Sequence, residues 1–554
     1  MNAKETISRE AVIYRRLFWI LVIILLIAMP ILSQDFGITW DEWVHSYFGK
    51  LILRYFLTGG ADKTCLTTGG ELSGNLTLNL YGHLFDTLST VVFGIRIGSI
   101  TNAANQDLHW SDFYETRHAC NAVVGFLAIL FTGLLARAIA GERAGFFALL
   151  LMVVSPCFLG HSMNNPKDIP FAATYILGIY YLVKFFKEYP KPDKRTMGLL
   201  ALAIALSINV RIGGIILIAY LMLFSAIFYL KSWKEKSDKP NLKFFVGQIA
   251  VVSVAGYFGG LIFWPYGHTN PFVNPMIALK EMSNYTALVL SVLFEGKMVL
   301  SNELPWHYIP KWIWITTPIA VLFGGIVCLV CFYKLRRFFR IDLLSIVVFS
   351  AFFPVVYSII RKMPLYDGWR HLLFVYPSLV VIAALGWDFL FRIFKKRWQN
   401  ISCFALLLIL IAEPIHWMIL NHPNEYNYFN PLVGGVEGAY GNYELDYWGN
   451  SLREGSCWLA DYIKKSDPRP RVVVWADGSP SQTAYYLKAA LGDRYIPYQP
   501  AFGENGWDYG MGLTRKWKKR DLESEAFPPR GTIHTVNSGN TILSVVVKNP
   551  DKPI

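Results

Sequence analysis

A chain of 554 residues that is 54% hydrophobic and only 16% charged, with a mean hydropathy of +0.35, is a polytopic membrane protein and not a soluble globule. Its length leaves room for a large membrane domain and one soluble domain of ordinary size. The net charge of +13 would suggest nucleic acid in a soluble protein, but the basic runs sit between apolar segments, so they mark topology and no nucleic-acid partner is expected.

The first apolar run, LFWILVIILLIAMPILS at 17–33, follows Arg15 and Arg16 and lacks a small-residue cleavage site. It reads as a retained signal anchor. QDFGITWDEWVHSYF comes next, with the adjacent acids Asp41 and Glu42. Neighbouring side chains on a helix point about 100° apart, so one acid would do chemistry and the other would orient or bind. A carboxylate at a membrane surface can act as a general base toward a hydroxyl, helped by partial burial that raises its pKa. The same pair also suits the first turn of a helix capped by Thr39, and both readings stand. Further along this loop, 76–100 is apolar enough to enter the membrane. A pair of interfacial, partly amphipathic helices is expected there, because a crossing would break the charge pattern.

Further apolar runs lie at 119–138, 144–161, 169–187, 196–210, 212–230, 244–264, 312–333, 341–360, 371–391 and 401–420, giving about eleven spans. The basic clusters Arg15/Arg16, Arg137/Arg143, KEYPKPDKR, KSWKEKSDK, KLRRFFR and FKKRW then share one side. The positive-inside rule makes that side cytoplasmic and places the C-terminus outside. The external set is 34–118, 162–168, the turn near 211, 265–311, 361–370 and 421–554.

Unusual polar residues collect in that set. HSMNNPKDIP crowds Asn164, Asn165, Lys167 and Asp168 into a very short loop, as a lined pocket or as a helix boundary marked by Pro166 and Pro170. Arg211, between two apolar runs, is costly unless it pairs with an anion such as phosphate or snorkels to ordinary headgroups. SNELPWHYIPKW supplies Trp306, Tyr308 and Trp312, which suit sugar stacking or an interfacial aromatic belt. RKMPLYDGWRHLLFVYP sets Arg361, Lys362, Arg370 and His371 around a turn holding Tyr366 and Asp367. Fixed cations there make a phosphate clamp that would stabilise a leaving phosphate. The stretch 422–455 is packed with Tyr, Asn and Gly and includes Tyr443 and Glu444; it suits carbohydrate contact or a loop sealing two domains. RVVVWADG and TILSVVVKN read as strands and SQTAYYLKAAL as a helix. A membrane domain over 1–420 and a small external α/β domain over 421–554 are therefore expected. Of the seven cysteines, Cys65 and Cys457 fall on one side and could pair. Cys328 and Cys331 sit mid-span without a second pair, so no metal or redox site is expected of them.

Together ITWDEWVH, YGHLFD, HSMNNPKD, LPWHYIPKW, YDGWRHLLFVYP and NEYNYFNPLVGGVEGAYGNYELDYWG resemble the bacterial branch of the protein O-mannosyltransferase and aminoarabinose transferase superfamily of GT-C glycosyltransferases, over about 35–455. The resemblance implies an all-α polytopic GT-C fold and a polyprenyl-phosphate monosaccharide donor. It implies inverting transfer outside the cytosol without an essential metal, with Asp41 as base and Glu42 in support. Arg211, Arg361, Arg370, His371 and Lys167 become candidates for the donor phosphate. His83, Asn165, Asp168, Trp306, Tyr366, Asp367, Tyr443 and Glu444 become candidates for sugar and acceptor; relatives often carry a proline-containing motif near His83 that is absent here. The expected setting is a bacterial inner membrane. The expected partners are membrane lipids, a lipid-linked sugar (mannose first) and a hydroxyl on protein, glycolipid or glycan. The rival readings are an oligosaccharide transferase using Mg or Mn with Asp168, a ligase, and a transporter. A transporter would concentrate its charges near mid-membrane instead.

Overall fold

The computed structural model describes residues 9–67, 77–105, 111–234, 241–283, 289–477, 480–503 and 506–552. Its membrane body is helical, in chain order α1 (Arg9–Leu32), α2 (Glu42–Leu57), α3 (Leu84–Arg96), α4 (Ser111–Ala140), α5 (Glu142–Val153), α6 (Pro156–Asn164), α7 (Asp168–Lys187), α8 (Lys194–Val210), α9 (Ile216–Lys234) and α10 (Leu242–Gly259). There follow α11 (Tyr308–Thr316), α12 (Ile319–Val330), α13 (Ile341–Ile360), α14 (Tyr376–Ile393) and α15 (Arg397–Asn421). Among the described residues, eight helices are long and apolar enough to cross a membrane, or ten if two bent pairs each count as one span.

The expected eleven differ from this at three places. The 144–161 run is broken into α5 and α6, bent by 69°, and the 312–333 run into α11 and α12, bent by 119°. Proline explains both breaks: Pro156 opens α6 and Pro318 sits at the start of α12, where the ring is tolerated but a continuous helix is not. The 196–210 run forms α8, which at 17 residues stands at the short end of the crossing range.

The central helix α14 is buried along most of its length and packs on α12, α13, α4 and α5. Its approach to α12 is set by Gly386, where an added Cβ would stand 1.9 Å from the Gly324 carbonyl oxygen. Small residues permit this backbone proximity between membrane helices. By contrast, α1 exposes Ile20, Ile23, Ile27 and Ile31, and α15 exposes Ile401, Phe404, Leu408 and Ile419. These faces suit lipid. Neither α2 nor α3 is among the span candidates; α3 buries one face and exposes Leu88, Val92 and Ile95 as a stripe, the pattern of an interfacial helix.

The loops sort to two ends. At one, Arg143 bonds Glu10 at 2.7 Å and Asp388 at 2.6 Å, and Arg340 bonds Asp342. All belong to the expected basic, inner set or border it. At the other end the 37–45, 164–168, 211, 366–371 and 424–450 segments converge. A hairpin, β1 (Ser291–Phe294) and β2 (Lys297–Leu300), also lies here. It turns at Glu295 and Gly296, both with positive φ, as a tight hairpin turn requires.

The C-terminal unit contains α16 (Ser451–Ser466) and α17 (Pro480–Leu491) with β3 (Val472–Ala476), β4 (Tyr495–Pro497), β5 (Tyr509–Leu513), β6 (Thr532–Ser538) and β7 (Thr541–Lys548). The sheet order is β4-β3-β5-β7-β6, parallel around β3 and antiparallel around β7. Leu452, Leu459 and Ile463 of α16 lie on one helical face and share a core with Val472, Val474, Met511 and Val546. The expected strands at 471–478 and 541–549 and the helix at 481–491 are present; β4, β5, β6 and α16 were not read from sequence. The Cys65–Cys457 pairing that the shared side allowed is not formed: both are free thiols, Cys65 buried and Cys457 exposed.

Candidate active site at the polar end of the membrane domain

The acidic pair divides its labour. Glu42 is buried and its carboxylate accepts from the Thr39 amide at 2.8 Å and from the Thr39 hydroxyl at 3.3 Å, with His118 Nε2 at 3.1 Å. The expected cap therefore runs in reverse: the first-turn acid reaches back to the amide before the helix. Asp41 makes no capping bond. Its side chain is 33% exposed and meets Arg370 Nη2 at 3.4 Å.

Arg370 is the hub. Its Nε donates to Asp367 Oδ2 at 2.9 Å and its Nη1 to Asp168 Oδ2 at 3.2 Å. The guanidinium lies 4.6 Å from the Trp448 ring centroid and 5.2 Å from that of Tyr366. Asp367 reaches it from a YDGW turn in which Asp367 and Gly368 both have positive φ, a conformation that Asp and Gly accept more readily than most residues. Asp168 opens α7 and is held by Asn165, whose side-chain oxygen takes the Asp168 amide at 2.9 Å and whose Nδ2 donates to Asp168 Oδ2 at 2.9 Å. Asp168 Oδ1 accepts from Arg211 Nη2 at 2.5 Å. Arg211 sits at the break after α8 and keeps a buried Nε without a protein partner.

One member comes from the C-terminal unit. Arg515, just after β5, bonds the free oxygen of Asp367, donates through Nε to Glu444 at 3.2 Å and through Nη1 to the Tyr447 carbonyl at 3.2 Å. It also lies over Trp40, 5.2 Å from the ring centroid. The result is a line of alternating charge: Arg211, Asp168, Arg370, Asp367, Arg515, Glu444. Buried charges are stable only when paired in this way, and Asp41 branches from the middle of the line. Burial pushes the Asp41 carboxyl up, Arg370 pulls it back, and Asp367 and Asp168 push again, leaving it at about 6. At neutral pH it is ionised yet basic enough to accept a proton.

The remaining sequence candidates separate. Tyr366 packs on Arg370 and, edge on, against His371 at 4.7 Å. Lys167 donates to the Gly82 carbonyl at 3.0 Å and lies over Tyr81; burial draws its ammonium down to about 7 against the opposing pull of Asp86. Glu444 leaves Oε2 without a protein partner, beside a hollow behind Arg370 that also meets Trp312 Nε1 and Asn427 Nδ2, likewise unpartnered. Tyr443 is packed among Phe294, Trp312 and Phe429. Three candidates stay outside the cluster: Trp306, Arg361 and His83. Trp306 is 73% exposed in an outer groove beside Lys362. Arg361 is exposed at the end of α13, and among the described residues no bond joins it to the network. Sequence reasoning missed Arg515; the signal was TRKWKKR at 514–520, a basic run on the expected outer side, where topology gives no reason for cations.

His83 belongs to a support cluster. Its Nδ1 meets Asp86 at 2.8 Å and its Nε2 the Leu78 carbonyl at 2.9 Å, while Asp86 pairs with Arg117 at 2.8 Å. His45, His83 and Asp86 bring possible metal-ligand atoms within 4.8 Å of one another, but Arg117 already neutralises the single carboxylate. Asp168, the acid expected to serve Mg or Mn in an oligosaccharide transferase, has its oxygens taken by Arg211, Arg370 and Asn165. This donor set does not fit a metal.

The segment from α4 to α10, residues 117–258, matches the family described as dolichyl-phosphate-mannose-protein mannosyltransferase. No curated protein matches the chain. Among solved structures, ArnT from Cupriavidus metallidurans bound to undecaprenyl phosphate is 14% identical, with 97% of this chain and 99% of that chain covered and a TM-score of 0.47. The archaeal oligosaccharyltransferase AglB from Archaeoglobus fulgidus, in complex with an inhibitory peptide and a dolichol-phosphate, is 13% identical, with 89% and 69% covered and a TM-score of 0.48. The A. fulgidus enzyme tethered to an acceptor peptide is 14% identical, with the same coverages and a TM-score of 0.49.

Proposed function

We propose that this chain is a GT-C glycosyltransferase that moves one sugar, mannose as the first choice, from a polyprenyl-phosphate carrier to a hydroxyl acceptor at the extracytoplasmic membrane face, with inversion. The observation that carries the reading is the Asp41–Arg370 pair: a partly open carboxylate of raised pKa set against a buried guanidinium. The match of 117–258 to a family described as dolichyl-phosphate-mannose-protein mannosyltransferase supports the donor class and the choice of mannose.

The chemistry follows from those groups. Asp41 takes the proton of the acceptor hydroxyl as its oxygen bonds to the anomeric carbon. The bond from that carbon to the phosphate oxygen breaks on the opposite face, and its electron pair leaves with the polyprenyl phosphate. A phosphate leaving group needs cations and no proton donor. Arg211, with an unused buried Nε, and Arg370 are the cations nearest the base; Lys167 and His371 border them. The hollow beside Glu444 and Trp312 has room for about one water and is too small to take a sugar ring. The basic loops at the far end of the body support an outward-facing site with a cytoplasmic N-terminus, and the membrane of this reading is a bacterial inner membrane. The acceptor hydroxyl belongs to a protein, glycolipid or glycan.

The test is transfer from radiolabelled polyprenyl-phosphate mannose by purified wild-type protein and D41N, with membrane extract as acceptor and EDTA in parallel. Transfer that survives EDTA and disappears in D41N is expected. Equal transfer by both proteins removes Asp41 as base, and transfer abolished by EDTA returns the metal-dependent oligosaccharide transferase.

A further inference from the structure

We propose that Arg515, supplied by the C-terminal unit, is a positioning residue that shares the charge of Asp367 with Arg370, leaving Arg370 free to hold Asp41, and so makes the external domain part of the reacting site. This rests on the reading of Asp41 as base. Three carboxylates compete for the Arg370 guanidinium. Asp168 shares its charge with Arg211, and Asp367 shares its charge with Arg515. Without Arg515 the whole charge of Asp367 would fall on Arg370, drawing the guanidinium away from Asp41 and adding unbalanced negative charge beside the base.

The C-terminal unit is anchored so as to deliver this residue. Thr514 Oγ1 bonds the Ile542 carbonyl at 2.6 Å, which fixes the chain next to Arg515 against the sheet. The irregular segment before the base is clasped from the same unit: the Ile38 amide donates to the Tyr486 hydroxyl at 2.8 Å, and Gln482 Nε2 donates to the carbonyls of Ile38 and Trp448. Trp40, next to Asp41, packs under the Arg515 guanidinium. The charged and titratable groups that face Asp41 are Arg370, Asp367 and Tyr366 from the YDGWR turn, Asp168 from α7 and Arg211 from the turn after α8. Those that face Arg515 are Asp367 and Glu444.

The experiment reads protonation of Asp41 without relying on turnover. The full-length protein in detergent is labelled with dicyclohexylcarbodiimide, which attacks protonated carboxyls, across a pH series, and labelling of the Asp41 peptide is followed by mass spectrometry. Transfer is measured in parallel. R515M is expected to raise the labelling midpoint by about one pH unit, R515K to stay near wild type, and D367N to lower it. In the D367N background, R515M is expected to add little further change. A midpoint in R515M equal to wild type overturns the proposal, as does a full R515M shift that persists in the double variant. Should R515M alone fail to fold, D367N against D367N/R515M decides, because Asp367 is uncharged in both and Glu444 is the one acid that loses Arg515. Shifts as described without transfer from any lipid-phosphate sugar by wild type would sink the glycosyltransferase reading and keep the electrostatic clamp.

Discussion

Asp41 stands 3.4 Å from Arg370, while the same guanidinium holds Asp367 at 2.9 Å and Asp168 at 3.2 Å. The base candidate thus makes the longest of the three contacts, and it alone among the three acids is substantially exposed. A carboxylate held this loosely can turn toward an acceptor without dismantling the network behind it.

The raised Asp41 pKa fixes the sign of one pH effect. A base must be unprotonated, and Asp41 is held at about 6, so kcat/KM for transfer should be near its plateau at pH 7 and fall tenfold per pH unit well below 6. A pH–rate profile at acceptor concentrations well below KM measures this. An acid limb near pH 4, the range of an ordinary carboxylate, would show that another group sets the rate.

Asp41 and Glu42 should fail in different ways. D41N removes the base and should cost about 100- to 10,000-fold in kcat with little change in melting temperature. E42A strands the Thr39 amide and should cost about 1–3 kcal/mol of stability, while the folded fraction keeps its acid limb. Melting curves and kinetics on the same preparations separate the two. An E42A protein of wild-type stability and no activity would contradict the capping role.

The two arginines proposed together from sequence should part company. Arg211 is bonded to Asp168 beside the base, and Arg361 is exposed at the end of α13. R211K should raise the KM for the lipid donor about tenfold, through loss of charge-assisted hydrogen bonds, whereas R361A should leave it within about twofold. A larger effect from R361A would place the donor phosphate at the outer groove near Trp306.

Packing of α12 on α14 offers a control pair for stability. G386A puts a methyl into the Gly324 carbonyl, whereas Cβ at Gly325 meets nothing within 4 Å. G386A should destabilise by about 1–3 kcal/mol, and G325A should be neutral or stabilising by up to about 1 kcal/mol. Thermal unfolding in detergent with equal losses for the two would mean that the helices do not meet at this glycine.

Much of this arrangement is legible in the sequence, for physical reasons. Charge asymmetry sorted the loops, so Asp41, Asp168, Arg211 and Arg370 could be assigned to one end before any contact was known, and β3, α17 and β7 follow from hydrophobic pattern. Bends at Pro156 and Pro318 were not read, because apolar runs look continuous across a proline. The separate fates of Asp41 and Glu42 depend on a hydrogen bond running backward to Thr39. Arg361 and Arg370 look alike in a motif and differ in burial. The contribution of Arg515 depends on long-range docking, which local spacing does not encode.

The bond between Asp367 and Arg515 joins positions 148 residues apart, and this has a consequence for biogenesis. Every helix of the membrane body precedes Arg515 in the chain, so a ribosome can finish inserting all of them while one oxygen of Asp367 still lacks its cation. The reaction centre is electrically completed only when the outer unit has emerged, folded and docked. On the proposed reading, a half-made chain holds Asp41 in the wrong charge balance until that unit docks.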